Sequence, residues 1–276
     1  MTQHIHPTSR LFTRRSTPLA AVLLTASLCA PVQAQQLFAP TAMVGGYNQS
    51  FLSAQLAQWA FSIPAATNPL LDLTGAHSAQ GDQGNYFFLA SSFTTDPVVR
   101  SVTVRNDQAL VFSPITVVYW ADAVVNTEAA MRADAAHALG NVSNLTVTVD
   151  GAPAWLPAGV TSLAPFLQAG PLFPLSLPPG GVIETLTGLP PGVFPAITLG
   201  YTFALDALTA GQHQLRFTST VAPTGPYAGI PPFTYDITYN ITAVPEPGTM
   251  ALLCLGLAAV GALAMRQWRG DSKAAA

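Results

Sequence analysis

Two stretches near the end of the chain decide the fold: GQHQLRFTSTV at residues 211–221 and FTYDITYNITAV at residues 233–244. In the first, Leu215 and Phe217 alternate with Arg216 and Thr218. In the second, Tyr235, Ile237, Tyr239 and Ile241 alternate with Thr234, Asp236, Thr238 and Asn240. A period of two puts the apolar set on one face of a pleated strand and the polar set on the other. The stretches therefore read as a half-buried antiparallel pair, with one face on a core and one in water.

Upstream, further strand-like runs lie at 86–93, 98–105, 109–120, 145–149 and 197–203, and Asp150-Gly151 is a hairpin turn signal. Between 50 and 61 apolar residues recur at Phe51, Leu52, Leu56, Trp59 and Ala60, a helical stripe that Pro64 ends. Residues 127–139 read as a second short helix, with Asn126 or Thr127 as cap and Gly140 as stop. The Pro- and Gly-rich stretch 159–195 reads as a long, partly ordered surface loop. The expectation is a mainly β domain over 35–243, an antiparallel β-sandwich with one or two short helices.

Composition narrows the function. Charged residues are 8% of the chain, against about 25% in ordinary globular proteins. Between 35 and 244 the cations are Arg100, Arg105, Arg132 and Arg216, with no lysine, against eleven carboxylates, a net charge of −7. Such a domain offers no footprint to phosphate backbones, so nucleic acid is not an expected partner. The two cysteines, Cys29 and Cys254, both fall outside this domain. It therefore has no disulfide, thiolate metal site or cysteine nucleophile.

Both ends read as targeting segments. Arg10, Arg14 and Arg15 precede an apolar run from Leu19 to Ala30, and Val32-Gln33-Ala34 supplies small or modest residues at a cleavage site. Twelve apolar residues span about 18 Å as a helix, short of a bilayer core of about 30 Å. Residues 1–34 thus read as a signal-peptide helix cleaved after Ala34, which implies Sec-type export machinery. At the other end, Pro245-Glu246-Pro247 makes an extended, solvated segment. An uncharged run, about 250–265, then precedes Arg266, Trp268 and Arg269. Its sixteen residues give about 24 Å of helix, a transmembrane anchor with its basic end held in the cytoplasm.

The order Pro-Glu-Pro, apolar helix, basic tail resembles the PEP-CTERM sorting signal of exported bacterial proteins. That resemblance implies that 244–276 is a sorting and anchoring segment. It also implies recognition of Pro245, Glu246 and Pro247 by an exosortase-type processing machinery. The mature chain is, in turn, similar to a family of secreted bacterial proteins of unknown function. The runs that carry this second resemblance are Gln58 to Pro64, Asn68-Pro69, Asp72-x-x-Gly75, Phe87 to Ala90, Val104 to Pro114, Gln212 to Phe217 and Asp236 to Tyr239. Some members carry cysteines at the positions of Ser78 and Ser101, and the resemblance implies a disulfide dispensed with here. It implies no activity.

Candidate chemistry is sparse. Asp72, His77, Asp82 and Gln83 share one Gly-rich stretch and form a candidate ligand or cation loop, with Ca²⁺ the ion its oxygen donors would suit. His137 and His213 stand alone, outside any metal-ligand spacing. No catalytic residue, Gly-x-Ser-x-Gly elbow or phosphate loop is evident. Tyr119, Trp120, Trp155 and Tyr227 could stack on sugars, or serve the core.

The expected function is that of a non-enzymatic structural or adhesive protein. It is exported, held by a C-terminal helix, and placed at the cell surface or outside the cell after processing. The alternatives are a secreted module for carbohydrate or another small ligand, which makes extracellular polysaccharide a candidate partner, and a hydrolase with a carboxylate pair.

Overall fold

The computed structural model describes residues 35–122, 124–246, 248, 255 and 258. The expected signal peptide lies outside these residues, as do the apolar run at 250–265 (apart from its isolated positions 255 and 258) and Pro247. Among the described residues no helix is long and apolar enough to cross a membrane.

The chain opens with a small hairpin, β1 (Met43–Val44) and β2 (Tyr47–Asn48), and enters α1 (Gln49–Ser62). Next come β3 (Tyr86–Leu89), β4 (Val98–Arg105), β5 (Ala109–Trp120) and α2 (Glu128–Leu139). β6 (Asn141–Val149), β7 (Ala152–Pro153), β8 (Leu167–Ala169), β9 (Phe173–Leu177) and α3 (Val182–Thr187) follow. Three long strands finish the domain: β10 (Gly192–Leu205), β11 (Gly211–Ala222) and β12 (Phe233–Val244).

These strands make two five-stranded sheets. One runs β4-β12-β11-β6-β7; the other runs β3-β5-β10-β8, with β9 also paired to β10. The β11–β12 pair predicted from the alternation is antiparallel from Gly211↔Ala243 to Val221↔Phe233 and forms the middle of the first sheet. Its apolar side is buried at Leu215, Phe217, Ile237, Tyr239 and Ile241. Its polar side carries cross-strand pairs, led by Arg216 donating to both oxygens of Asp236 at 2.8 and 2.7 Å.

The two inner faces meet in a ring-rich core. Phe112 of β5 stacks on Phe217 of β11 at 4.9 Å between centroids, and Phe203 of β10 lies between Phe112 and Phe166 at 5.7 and 4.7 Å. The other face of the β5–β10 sheet is covered as well. Leu52 and Leu56 of α1 pack there with Phe88, Val111 and Ala204. Val182 and Ile183 of α3 pack there with Leu175 and Ala196. This double burial explains why β5 carries apolar residues on both of its faces, as at Leu110, Val111 and Phe112. α2 fills the end of the sandwich, with Met131 and Ala135 against Ile197.

Local chemistry sets the helix limits. Asn48 accepts from the Phe51 N–H at 2.8 Å to start α1, and Pro64 follows its end. Thr127 accepts from the Ala130 N–H at 3.2 Å to start α2, and Gly140, at φ +55°, stops it. A Cβ on Gly140 would also fall 2.1 Å from the Ala222 carbonyl oxygen.

Three expectations are corrected. The sandwich is not wholly antiparallel, because β4 pairs with β12, and β3 with β5, in parallel. The chain crosses from β3 in one sheet to β4 in the other and returns to β5; alternation within a strand carries no information about such crossings. Next, residues 159–195 are not a loose surface loop. They contribute β8, β9 and α3, and Phe166, Leu175 and Val182 are fully buried. Their strands are short and Pro-punctuated, which hides the period. Finally, the helices number three among the described residues, since α3 is too brief to show a stripe.

Candidate functional site

The predicted sorting motif begins where the sheet ends. β12 pairs with β4 as far as Val244↔Arg105, and the Asn106 N–H donates to the Val244 carbonyl at 2.8 Å. Pro245 is the next residue, so no linker separates the sandwich from the motif. Arg105 gathers carboxylates around this junction. Its side chain lies 3.1 Å from Asp107, 3.4 Å from Asp82 and 4.0 Å from Glu246, and it also donates to the Gly84 carbonyl. The neighbouring Asp107 carboxyl holds that of Glu246 above its ordinary value, while Glu246 and then Arg105 hold Asp107 below its own. The Glu246 side chain is 50% exposed. The sequence placed Glu246 in an open, solvated segment; the structure sets it against the domain.

The candidate ligand loop is folded on itself. Asp72 Oδ1 accepts from the Thr74 N–H, the Thr74 hydroxyl and the Gly75 N–H at 2.9, 2.9 and 3.0 Å. Asp72 Oδ2 accepts from the His77 N–H at 2.8 Å. Burial raises the Asp72 carboxyl, but these four donors, His77 foremost, hold it below its ordinary value. His77 thus enters through its backbone. Asp82 serves a second knot, accepting from the Gly84 N–H at 2.9 Å and from Gln108 Nε2 at 2.6 Å. The Gln83 side chain donates to the Gly81 carbonyl at 3.5 Å. The four residues therefore organise backbone at two separate points. Among the described residues no group of three His, Cys, Asp or Glu side chains is placed to hold a metal ion. Ser78 is buried beneath this loop with no partner for its hydroxyl, and the Ser101 N–H donates to the Thr74 carbonyl at 3.2 Å.

Arg100 is a functional candidate that nothing in its sequence context singles out. It is fully buried on β4, and no carboxylate among the described residues pairs with it. Its Nε donates to the Asp72 carbonyl at 2.7 Å. Its NH1 reaches the Ala90 and Ser91 carbonyls and the Tyr239 hydroxyl at 2.7, 2.9 and 2.7 Å. Tyr239 in turn donates to the Ala90 carbonyl at 2.8 Å, and its ring centroid lies 5.5 Å from the guanidinium. The fork ties the segment after β3 to β4.

Of the four aromatics, the structure brings three together. Tyr119, Trp120 and Tyr227 line a cavity of about 320 Å³ with Asp122. The Tyr119 and Tyr227 hydroxyls are hydrogen-bonded, and Tyr119 also donates to Asp134 at 3.3 Å. Burial, then Tyr227 and Asp134, pushes the Tyr119 phenol well above its ordinary range. Trp155 stands apart, 65% exposed, with its backbone bridged to Gln36. His213 bridges Asp150 and the Thr209 carbonyl, both at 2.8 Å. The backbone carbonyl of His137 accepts from the Thr224 N–H at 2.8 Å.

Comparison with known proteins adds one finding. Residues 243–269 match the PEP-CTERM protein-sorting motif. The chain therefore carries the tail of an exported protein that is anchored at its C-terminus before exosortase processing. No curated protein and no solved structure matches the chain.

Proposed function

We propose that this chain is a non-enzymatic structural or adhesive protein of the bacterial surface or extracellular matrix. The sorting tail delivers a folded sandwich there. The observation that carries the reading is the junction: the matched motif starts at the last paired residues of β12, so the tail and the sandwich travel as one unit. The polar side chains support it too. Asp72, Asp82, Asp150 and Arg100 are all engaged in holding backbone, as in a scaffold.

The test replaces Pro245, Glu246 and Pro247 with alanine in the producing bacterium and follows protein and cells. The native chain should lose its tail and reach the surface or medium. The variant should keep the tail and stay with the membrane fraction, and cells should cohere less. An unchanged location would overturn the sorting reading. Unchanged cohesion despite misplaced protein would overturn the adhesive one.

A further inference from the structure

β5 has two neighbours over its first third and one over the rest. β10 accompanies it to Trp120, but β3 pairs with it only at residues 109–112. Two features end that ladder. Pro114 carries no N–H, and it lies within the register shift that separates Tyr201↔Ile115 from Phe203↔Phe112. Arg100, meanwhile, draws the Ala90 and Ser91 carbonyls to itself. Beyond Leu89 no strand fills the place beside β5 among the described residues.

The register identifies the backbone groups left over. The Ala121 N–H donates to the Pro195 carbonyl at 2.8 Å, and the Gly170 N–H to the Thr198 carbonyl at 2.9 Å. Bonded and non-bonded pairs alternate along an antiparallel ladder. Ile115, Val117 and Tyr119 therefore exchange bonds with β10, while Thr116, Val118 and Trp120 turn their N–H and C=O groups to the vacant side. None of these groups has a hydrogen-bond partner among the described residues.

Hollow space follows the same residues. Thr116 and Val118 line a cavity of about 100 Å³ with Phe61 and Phe93. Val118 and Trp120 line the cavity of about 320 Å³ described above. The two cavities share Val118 and so adjoin at the strand edge, a groove in two parts. Sugar stacking would need bare ring faces, yet Tyr119 packs in the α2 cluster and Trp120 against the α3 cluster. What the groove presents is unpaired backbone at strand spacing, which an extended polypeptide satisfies. Asp122 lines its far end, with Asp134 bonded to Tyr119 beside it, and no cation lines either cavity.

We propose that the open edge of β5 at Thr116, Val118 and Trp120 docks an extended segment of a partner protein. That segment has apolar side chains two residues apart and a basic residue at the Asp122 end. The proposal goes beyond the sorting reading and does not depend on it.

The test uses the full chain in mild detergent and a fluorescent peptide, Lys-Val-Thr-Val-Thr-Val-Lys, whose two lysines serve either strand polarity. Saturable binding is expected. N-methylation of alternate peptide amides should weaken it about tenfold, the loss of one or two hydrogen bonds, and glutamate in place of lysine should weaken it several-fold. Val118→Pro should abolish binding while the fold is kept at a somewhat lower Tm, because the N–H it removes bonds nothing in the fold and only the Val118 packing is lost. Should that variant unfold, exchange of the Thr116, Val118 and Trp120 amides in the native chain decides: the peptide should slow these and leave Val117 and Tyr119 as they were. No saturable binding, equal binding of the methylated peptide, slowing elsewhere, or displacement by cellohexaose would each overturn the proposal.

Discussion

At the residue scale, two polar groups hold the loop between α1 and β4. Arg100 solvates three carbonyls and a phenol with one planar fork, a geometry that an ammonium cannot reproduce. Its NH2 atom is buried without a partner, so the arrangement carries a desolvation cost of about 1–3 kcal/mol. Asp72 is the complementary case, a carboxylate saturated by backbone donors. Its folded-state carboxyl sits below the ordinary value of 3.8. The stabilisation it gives is therefore complete above that value and is lost as pH falls through the folded-state value. Asp72→Ala should cost about 2 kcal/mol at neutral pH, by orphaning the Thr74, Gly75 and His77 amides. The gap between the urea midpoints of native and variant chains should narrow as pH falls below the ordinary carboxylate value and through the lower folded-state one. A gap that stayed constant down to pH 2 would show that the carboxylate charge is not what holds the turn.

At the element scale, legibility followed periodicity. β4 and β12 were read to the residue and β11 to within one, and both long helices were recovered, because each buries one face or one stripe; β5, buried on both faces, was read to the residue from its β-branched and aromatic content. β8, β9 and α3 were missed because three to six residues with prolines between them leave no period to read. The open edge of β5 was half legible. Pro114 inside a strand-like run signals a bulge or an edge, but which side stays vacant depends on where β3 stops pairing, which the run itself does not encode. Of the candidate site, the Pro-Glu-Pro motif was readable as a string, and its contact with Arg105 was not. That contact makes a prediction for the junction. Arg105→Ala should speed amide exchange at Asn106 and Glu246 several-fold, since Arg105 lies among the Asp82, Asp107 and Glu246 carboxylates. Unchanged exchange at both amides would mean that β12 pairing alone holds the motif.

At the scale of the whole molecule, an acidic, lysine-free sandwich is closed on one sheet by α1 and α3 and carries a polar, cross-strand-paired face on the other. Its last strand runs directly into the sorting motif. This continuity ties fold to fate, because β12 lies inside its sheet, between β4 and β11, and cannot peel away without opening the core that Ile237, Tyr239 and Ile241 fill. The tail is thus presented by a finished domain. The most direct test is the intact mass, with both termini sequenced, of the protein recovered from the surface and medium of the producing bacterium. The account predicts a chain that starts at Gln35 and ends before the apolar run at 250–265. Recovery of a chain still carrying residues 1–34 or the basic end at Arg266 and Arg269 would contradict it.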